Sequence, residues 1–323
     1  MRSSNTFAYV GDLAPSGALS ISSFLVHLAA VALLLAGIAL TWKIQAANEP
    51  FPGRFVALGR TFFAVPFAVF GIQHFTAASE VVNAVPRWMP ERMFWVYFVG
   101  IALIAATLSI ITSVKSDWAA PLLGLMLFLF VLMIHLPGLL RHPDNRFVWA
   151  AGFRDLALSG GALSLAGTLF TKSRPPLARP LLVIGRWFFA IPIVFFGAEH
   201  FPHPDFAPGV PLEQTMPAWI PMHAAWAYLT GGLLVTFGLG TFVKSRARLA
   251  AIGLGITYLI LVICIYIPMD VVHPSIEISG ELDYVADTLV VGGAALLVAA
   301  ALPLSDSRST RTPGDGQRPL PIA

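Results

Sequence analysis

Histidine and aspartate occur at matched positions in two parts of the chain. His74 and His200 lie near the ends of two similar segments, FFAVPFAVFGIQHF and FFAIPIVFFGAEHF. Asp155 and Asp287 each open another matched pair, DLALSGGA and DTLVVGGA. A neutral imidazole beside a carboxylate can relay protons, bind a polar ligand headgroup or begin a metal shell. We therefore predict two related sites, with His74 near Asp155 and His200 near Asp287.

Three further residues extend these candidate sites. His135 and Tyr266 occupy matched positions in IHLPG and IYIPM, where either side chain adds a third polar group. Glu199 stands where the first segment has Gln73, which favours the second site for acid–base or metal chemistry. No catalytic residue is assigned. The candidate residues of a ligand or proton site are His74, His135, Asp155, Glu199, His200, Tyr266 and Asp287.

A structural interpretation of the same residues stays open. Histidine and aspartate near helix ends can cap helices, pair with each other or face water, and Arg154 lies beside Asp155 as a local partner. A metal site is not expected, because the sequence has no HxxxH, HExxH or cysteine cluster. Cys264 is the single cysteine, so the chain can form neither an intramolecular disulfide nor a CxxC redox motif.

The composition indicates that membrane helices position these residues. Hydrophobic residues make up 57% of the chain, charged residues 11%, and the mean hydropathy is +0.76. Such a chain cannot cover a water-soluble surface. A bilayer-spanning helix needs about 20 mostly apolar residues. We predict an all-α integral membrane protein whose nine spanning helices lie at 22–42, 54–76, 93–113, 118–137, 150–171, 181–201, 223–243, 247–268 and 285–304. The first of these is longer than the apolar core of a signal peptide, so it is expected to be retained.

The distribution of charge predicts the orientation. With the N-terminus outside, 14 of the 20 lysines and arginines lie on the inner side, as expected of cytoplasmic loops. All eight histidines and 13 of the 17 acidic residues then lie in the outer half, so we expect the chemistry there. The C-terminus is predicted to be cytoplasmic, with a disordered tail at 305–323. The net charge of +3 follows from the inner loops and this tail, and does not indicate nucleic-acid binding.

The matched segments predict an internal repeat. Ten of seventeen positions are identical between 59–75 and 185–201, and the match continues from PRWMPERMFWVYFVG to PAWIPMHAAWAYLTG. Two four-helix units would each return the chain to the same side, related by a pseudo-twofold axis along the membrane normal. The helix before them would brace the units, fix their topology or contact a partner. We therefore divide the chain into an N-terminal segment with one helix, a first unit, a second unit and the tail, at 1–53, 54–172, 173–304 and 305–323.

These motifs resemble those of the DoxX-like membrane proteins. The resemblance rests on Gly-Arg-x-Phe-Phe-Ala, Phe-Gly-x-x-His-Phe and Pro-x-Trp-x-Pro, and it covers about 54–304 in two tandem units. It implies a bacterial inner-membrane protein. Some members are associated with terminal quinol oxidation, thiosulfate:quinone oxidoreduction or redox-stress complexes, which suggests quinone as a cofactor and other redox subunits as partners within the lipid bilayer. The family transfers no catalytic residue to this chain, and the lack of a cysteine pair argues against thiol–disulfide exchange. A more distant similarity is to four-helix sterol-isomerase-type proteins, whose cavities hold a lipid-like ligand against acidic residues.

Three hypotheses of function follow. The resemblance favours an accessory or quinone-linked subunit of a membrane redox system. Parallel repeats and polar clusters on one side also suit a transporter or a binder of lipophilic ligands, with sites in or between the repeats. A structural or assembly protein is the third. The sequence leaves open whether the protein is an enzyme.

Overall fold

The computed structural model of the protein describes residues 21–47, 49–209, 213–278 and 280–302. The predicted tail and the residues before 21 therefore lie outside the described part. Three π-helical turns, Trp42–Ala46, Val131–His135 and Val262–Tyr266, interrupt or extend the α-helices. The α-helices are α1 (Ile21–Thr41), α2 (Gly53–Ala57), α3 (Gly59–Thr76), α4 (Ala78–Val81), α5 (Arg92–Thr112), α6 (Ser116–Phe130), α7 (Leu136–Arg141), α8 (Arg146–Ser173), α9 (Pro175–Glu199), α10 (His223–Gly240), α11 (Ala247–Leu261), α12 (Ile267–Val272) and α13 (Glu281–Ala301).

Seven helical stretches within the described residues are long and apolar enough to cross a membrane, which fits a multi-pass membrane protein. They are Ser23–Ala46, Gly53–Thr76, Arg92–Thr112, Ser116–Arg141, Pro175–Glu199, Ala247–Val272 and Glu281–Ala301. The other two predicted spans correspond to α8 and α10, which are helical but not among the seven. Helix α8 contains the charged pair Arg154 and Asp155 together with glycines and serines. The number of nine spanning helices therefore stays a prediction.

The long helices pack in a closed cycle, and two helices of this cycle also pack against each other. Each helix contacts the next in the order α3, α5, α6, α8, α9, α10, α11 and α13, and α13 packs back against α3. Helices α8 and α13 also contact each other across the cycle. The contacts of α8 with α9 and of α13 with α3 join the halves of the chain, and they are at least as extensive as any contact within one half. The two predicted units are therefore not separate in space, and the carboxylates of α8 and α13 meet in the middle.

Glycines set the close approach of these helices. A Cβ atom added at Gly160 on α8 would lie 2.5 Å from the backbone nitrogen of Phe189 on α9. A Cβ atom at Gly293 on α13 would overlap the backbone nitrogen of Phe63 on α3. Small residues at such positions let helix backbones approach closely in a membrane, where packing rather than the hydrophobic effect holds helices together.

Irregular local geometry occurs at matched positions of the two halves. The π-helical turns Val131–His135 and Val262–Tyr266 occupy corresponding places, and a proline opens the short helix after each one. Glu91 and Met222, at corresponding residues before α5 and α10, both have left-handed backbones with φ of 48° and 63°. Local structure thus coincides with the sequence match at these points.

The first helix contacts both halves of the bundle. Helix α1 packs against α3 and α5, and the hydroxyls of Thr41 and Thr61 lie 2.7 Å apart at one end. At the other end the Nε2 atom of His27 lies 3.0 Å from Oδ1 of Asp270 in α12. Of the three roles considered for this helix, its contacts support bracing.

Candidate functional site

A buried ion network lies where α8 crosses α13. The Arg154 guanidinium donates through Nη1 to Oδ2 of Asp287 at 2.9 Å and through Nε to Oδ1 of Asp155 at 3.4 Å. The Nε2 atom of His135 lies 2.9 Å from Oδ2 of the same Asp155. We call these four residues the Arg154 network. The side chains of Arg154, Asp155 and Asp287 are 27%, 10% and 2% exposed, so the network is largely withdrawn from solvent.

Local structure explains how these side chains meet. Asn145 caps α8 by accepting a hydrogen bond from the Phe147 backbone N–H at 3.0 Å, which begins the helix two turns before Arg154. His135 ends a π-helical turn, a geometry often found at functional sites. Gly152 on α8 leaves room for this histidine, because a Cβ atom there would lie 3.1 Å from the His135 Cβ atom. The turn and the glycine together bring the imidazole to Asp155.

The network carries more acid than base. One guanidinium contacts two carboxylates, and Asp283 and Glu213 also lie close enough to Arg154 to interact electrostatically with it. Burial raises the pKa of the Glu213 carboxyl in the loop after α9, an effect that nearby arginines oppose. The Oδ1 atom of Asp287 is buried and has no hydrogen-bond partner among the described residues. Excess negative charge of this kind favours uptake of a proton or a cation.

The predicted pairs of His74 with Asp155 and of His200 with Asp287 are not formed. The Nδ1–H groups of His74 and His200 each donate to a carbonyl one turn back in their own helix, at 2.7 and 2.6 Å. This bond directs each imidazole along its own helix. The two aspartates bond instead to Arg154, which is long enough to reach between helices, and to His135.

His200 and Tyr266 hold the loop between α9 and α10 onto the bundle. His200 is fully buried, and its Nε2 atom accepts a hydrogen bond from the Gly209 backbone N–H at 3.0 Å. Gly209 has φ of 141°, a conformation that favours glycine. The Tyr266 hydroxyl donates to the Pro208 carbonyl at 2.9 Å. Both ring nitrogens of His200 are therefore used within the protein, which favours a structural role for this residue.

Glu199 lies in an open groove between the ends of α8 and α9. It pairs with His203 one turn further along the chain, with 3.5 Å between the carboxylate and Nε2. The rings of Phe153 and Phe195 pack directly against each other in the lining of this groove, with centroids 4.5 Å apart. The volume of this aromatic groove is about 450 Å³, and its lining residues are Asp144, Arg146, Trp149, Phe153, Phe195, Glu199 and His203.

The sequence interpretation found only part of these sites. It treated Arg154 as a local partner of Asp155, whereas this side chain also reaches α13. It missed the groove walls, although Trp149 and Phe153 are spaced by four residues, as are Phe195 and Glu199. Spacing of this kind places side chains on one helix face. The missing information was that α8 and α9 present these faces to each other.

Among the residues that the structure describes, no group of three or more histidine, cysteine, aspartate or glutamate side chains could hold a metal ion. Comparison of the chain with protein-family models, curated proteins and solved structures finds no match. The Arg154 network and the aromatic groove are therefore the features of the described chain that indicate a function.

Proposed function

We propose that the protein is a quinone-linked accessory subunit of a bacterial inner-membrane redox system, similar to the DoxX-like proteins, and that it binds the quinone ring in the aromatic groove. The observation that carries this proposal is the combination of aromatic walls with an acid–imidazole pair in one groove. A quinone is a flat apolar ring with two carbonyl oxygens. It therefore needs this combination of stacking surfaces and a few polar groups.

Each part of the ligand has a counterpart in the groove. Trp149, Phe153 and Phe195 provide surfaces for the ring. Arg146 and His203 provide N–H donors for its carbonyl oxygens, and the Glu199 carboxylate accepts a hydrogen bond from a quinol hydroxyl. The volume of about 450 Å³ lies within the range of small-molecule sites. An isoprenoid tail would leave the open side of the groove toward lipid.

The proposal includes the orientation of the chain. The excess of lysine and arginine on one side supports an external N-terminus and a cytoplasmic C-terminus, with the groove and the Arg154 network on the outer side. The matched π-helical turns support two parallel four-helix units behind this arrangement. Reporter fusions to the C-terminus test the orientation: a fluorescent protein should fold there and alkaline phosphatase should be inactive. The reverse result would place the groove on the cytoplasmic side.

Binding can be tested with a matched pair of ring compounds. Naphthoquinone and naphthalene share the same fused rings, but only the first has carbonyl oxygens. We expect naphthoquinone to quench tryptophan fluorescence of the purified protein in a saturable manner, with a smaller response after Trp149→Phe. Phe153→Ala should weaken binding by about threefold to tenfold, the usual worth of one aromatic contact. Phe24→Ala is the control, because this phenylalanine is exposed on α1, away from the groove.

The same titration separates the competing hypotheses. Equal affinity for naphthalene and naphthoquinone would favour a general binder of lipophilic ligands, because the polar groups of the groove would then contribute nothing. Absence of saturable quenching by either compound would contradict the groove proposal and favour a structural or assembly role.

A further inference from the structure

Asp287 is the acidic residue of the Arg154 network whose hydrogen bonding is incomplete. Both carboxylate oxygens of Asp155 have partners, one in His135 and one in Arg154. Asp287 uses only Oδ2, which accepts from Arg154 at 2.9 Å. Its Oδ1 atom is buried without a partner among the described residues, in a side chain that is 2% exposed. Buried polar atoms are rarely left unpaired, so this oxygen points to a species that the protein side chains do not supply.

The charge of the Arg154 network also indicates that Asp287 binds a species that the protein side chains do not supply. One guanidinium and two ionised carboxylates give Arg154, Asp155 and Asp287 together a net charge of −1. A buried charge that is not balanced is costly, and an ionisable group inside a membrane protein commonly marks a proton or ion site. One added positive charge would make the network neutral.

We propose that Asp287 is a proton-binding site whose Oδ1 atom takes up a proton from the side of the bundle that carries the loop after α9. The step breaks one O–H bond of a hydronium ion on that side, which leaves as water, and forms one O–H bond at Oδ1, which converts the carboxylate to a carboxylic acid. Arg154 stays bound to Oδ2 throughout, and His135 and Arg154 keep Asp155 as the ionised partner. This inference does not depend on quinone binding in the groove.

A proton fits this position better than a metal ion does. Hard cations such as calcium or magnesium need six or more oxygen ligands, whereas a proton needs one oxygen. Within the described residues no cluster of acidic, histidine or cysteine side chains could hold a metal. The titratable and charged groups that face Asp287 are Arg154 and Asp155 of α8, Asp283 of α13, Glu213 of the loop and Tyr266 of the π-helical turn.

Infrared difference spectroscopy of the protein in liposomes tests the proposal. A change from alkaline to acidic buffer should produce the carbonyl stretch of a protonated carboxyl group in the wild type. This band should be lost in Asp287→Asn and retained in Asp155→Asn. If Asp287→Asn does not fold, Asp287→Glu tests the assignment instead. In this variant the carboxyl band should persist at a shifted frequency. A band unchanged in frequency and size by both substitutions at Asp287, or no pH-dependent carboxyl band at all, would overturn the proposal.

Discussion

Removal of the Arg154 guanidinium should cost more stability than loss of any exposed arginine. Arg154→Gln leaves Asp287, which is 2% exposed, without the cation that contacts it. Breaking a buried ion pair by removing one partner typically costs about 3–5 kcal/mol. The Arg154 side chain is 27% exposed and Asp155 keeps its bond to His135, so we expect a loss of about 3 kcal/mol, the lower end of that range.

Thermal unfolding of the detergent-purified protein, followed by circular dichroism, measures this loss. Arg141→Gln is the control, since Arg141 is exposed at the end of α7 and should change stability by no more than about 0.5 kcal/mol. If the cost arises from the uncompensated Asp287 charge, adding Asp287→Asn to Arg154→Gln should recover about 1 kcal/mol or more relative to additivity. Equal effects of Arg154→Gln and Arg141→Gln, or strict additivity in the double variant, would refute this explanation.

Three further predictions concern packing, the loop and pH. Gly293→Ala should destabilise the protein by about 1–3 kcal/mol or more, because the new Cβ atom meets the Phe63 backbone. Gly232→Ala, with open space at its Cβ position, should not destabilise the protein in the same unfolding assay. His200→Ala removes the acceptor of the buried Gly209 backbone N–H, so a loss of stability of about 1–3 kcal/mol is expected. Chymotrypsin should also cleave the loop between α9 and α10 faster, and unchanged cleavage would argue against a role of His200 in holding this loop. Because burial raises the pKa of Glu213, ionisation of this carboxyl disfavours the folded state. The stability of the wild type should therefore fall as the pH rises from the ordinary pKa of a glutamate through the raised pKa of Glu213. Glu213→Gln should reduce that fall, and an identical pH profile would show that burial does not act on this carboxyl.

Local features of the fold could be predicted from the sequence because their causes are local. A stretch of about 20 apolar residues is sufficient to indicate a membrane helix. In the structure, π-helical turns and left-handed residues occur at corresponding positions of the matched segments. Helix α8 is less apolar because it uses glycine, serine and an ion pair for contacts with other helices.

The partners of the candidate residues could not be predicted in this way, because they depend on which helices lie side by side. The sequence order suggested that each aspartate faces the histidine of its own half. In the structure α13 packs on α3, α8 packs on α9, and one arginine serves both aspartates. Nothing corresponding to Arg154 occurs in the second half, where the matched residue is Ala286, so the repeat itself gave no sign of a shared cation.

The groove and the Arg154 network are joined by a series of alternating charges. Arg146 interacts with Glu199 in the groove and with Glu213, and Glu213 interacts with Arg154. If a quinone binds in the groove and Asp287 takes up a proton, each event should alter the free energy of the other, since coupling between two sites is reciprocal. The dissociation constant of naphthoquinone should then vary with pH in the wild type. Glu213 lies outside the groove, so Glu213→Gln should leave the affinity for naphthoquinone at acidic pH unchanged. The same variant should reduce the change of the dissociation constant with pH. A pH-independent dissociation constant in the wild type would show that the two sites act separately.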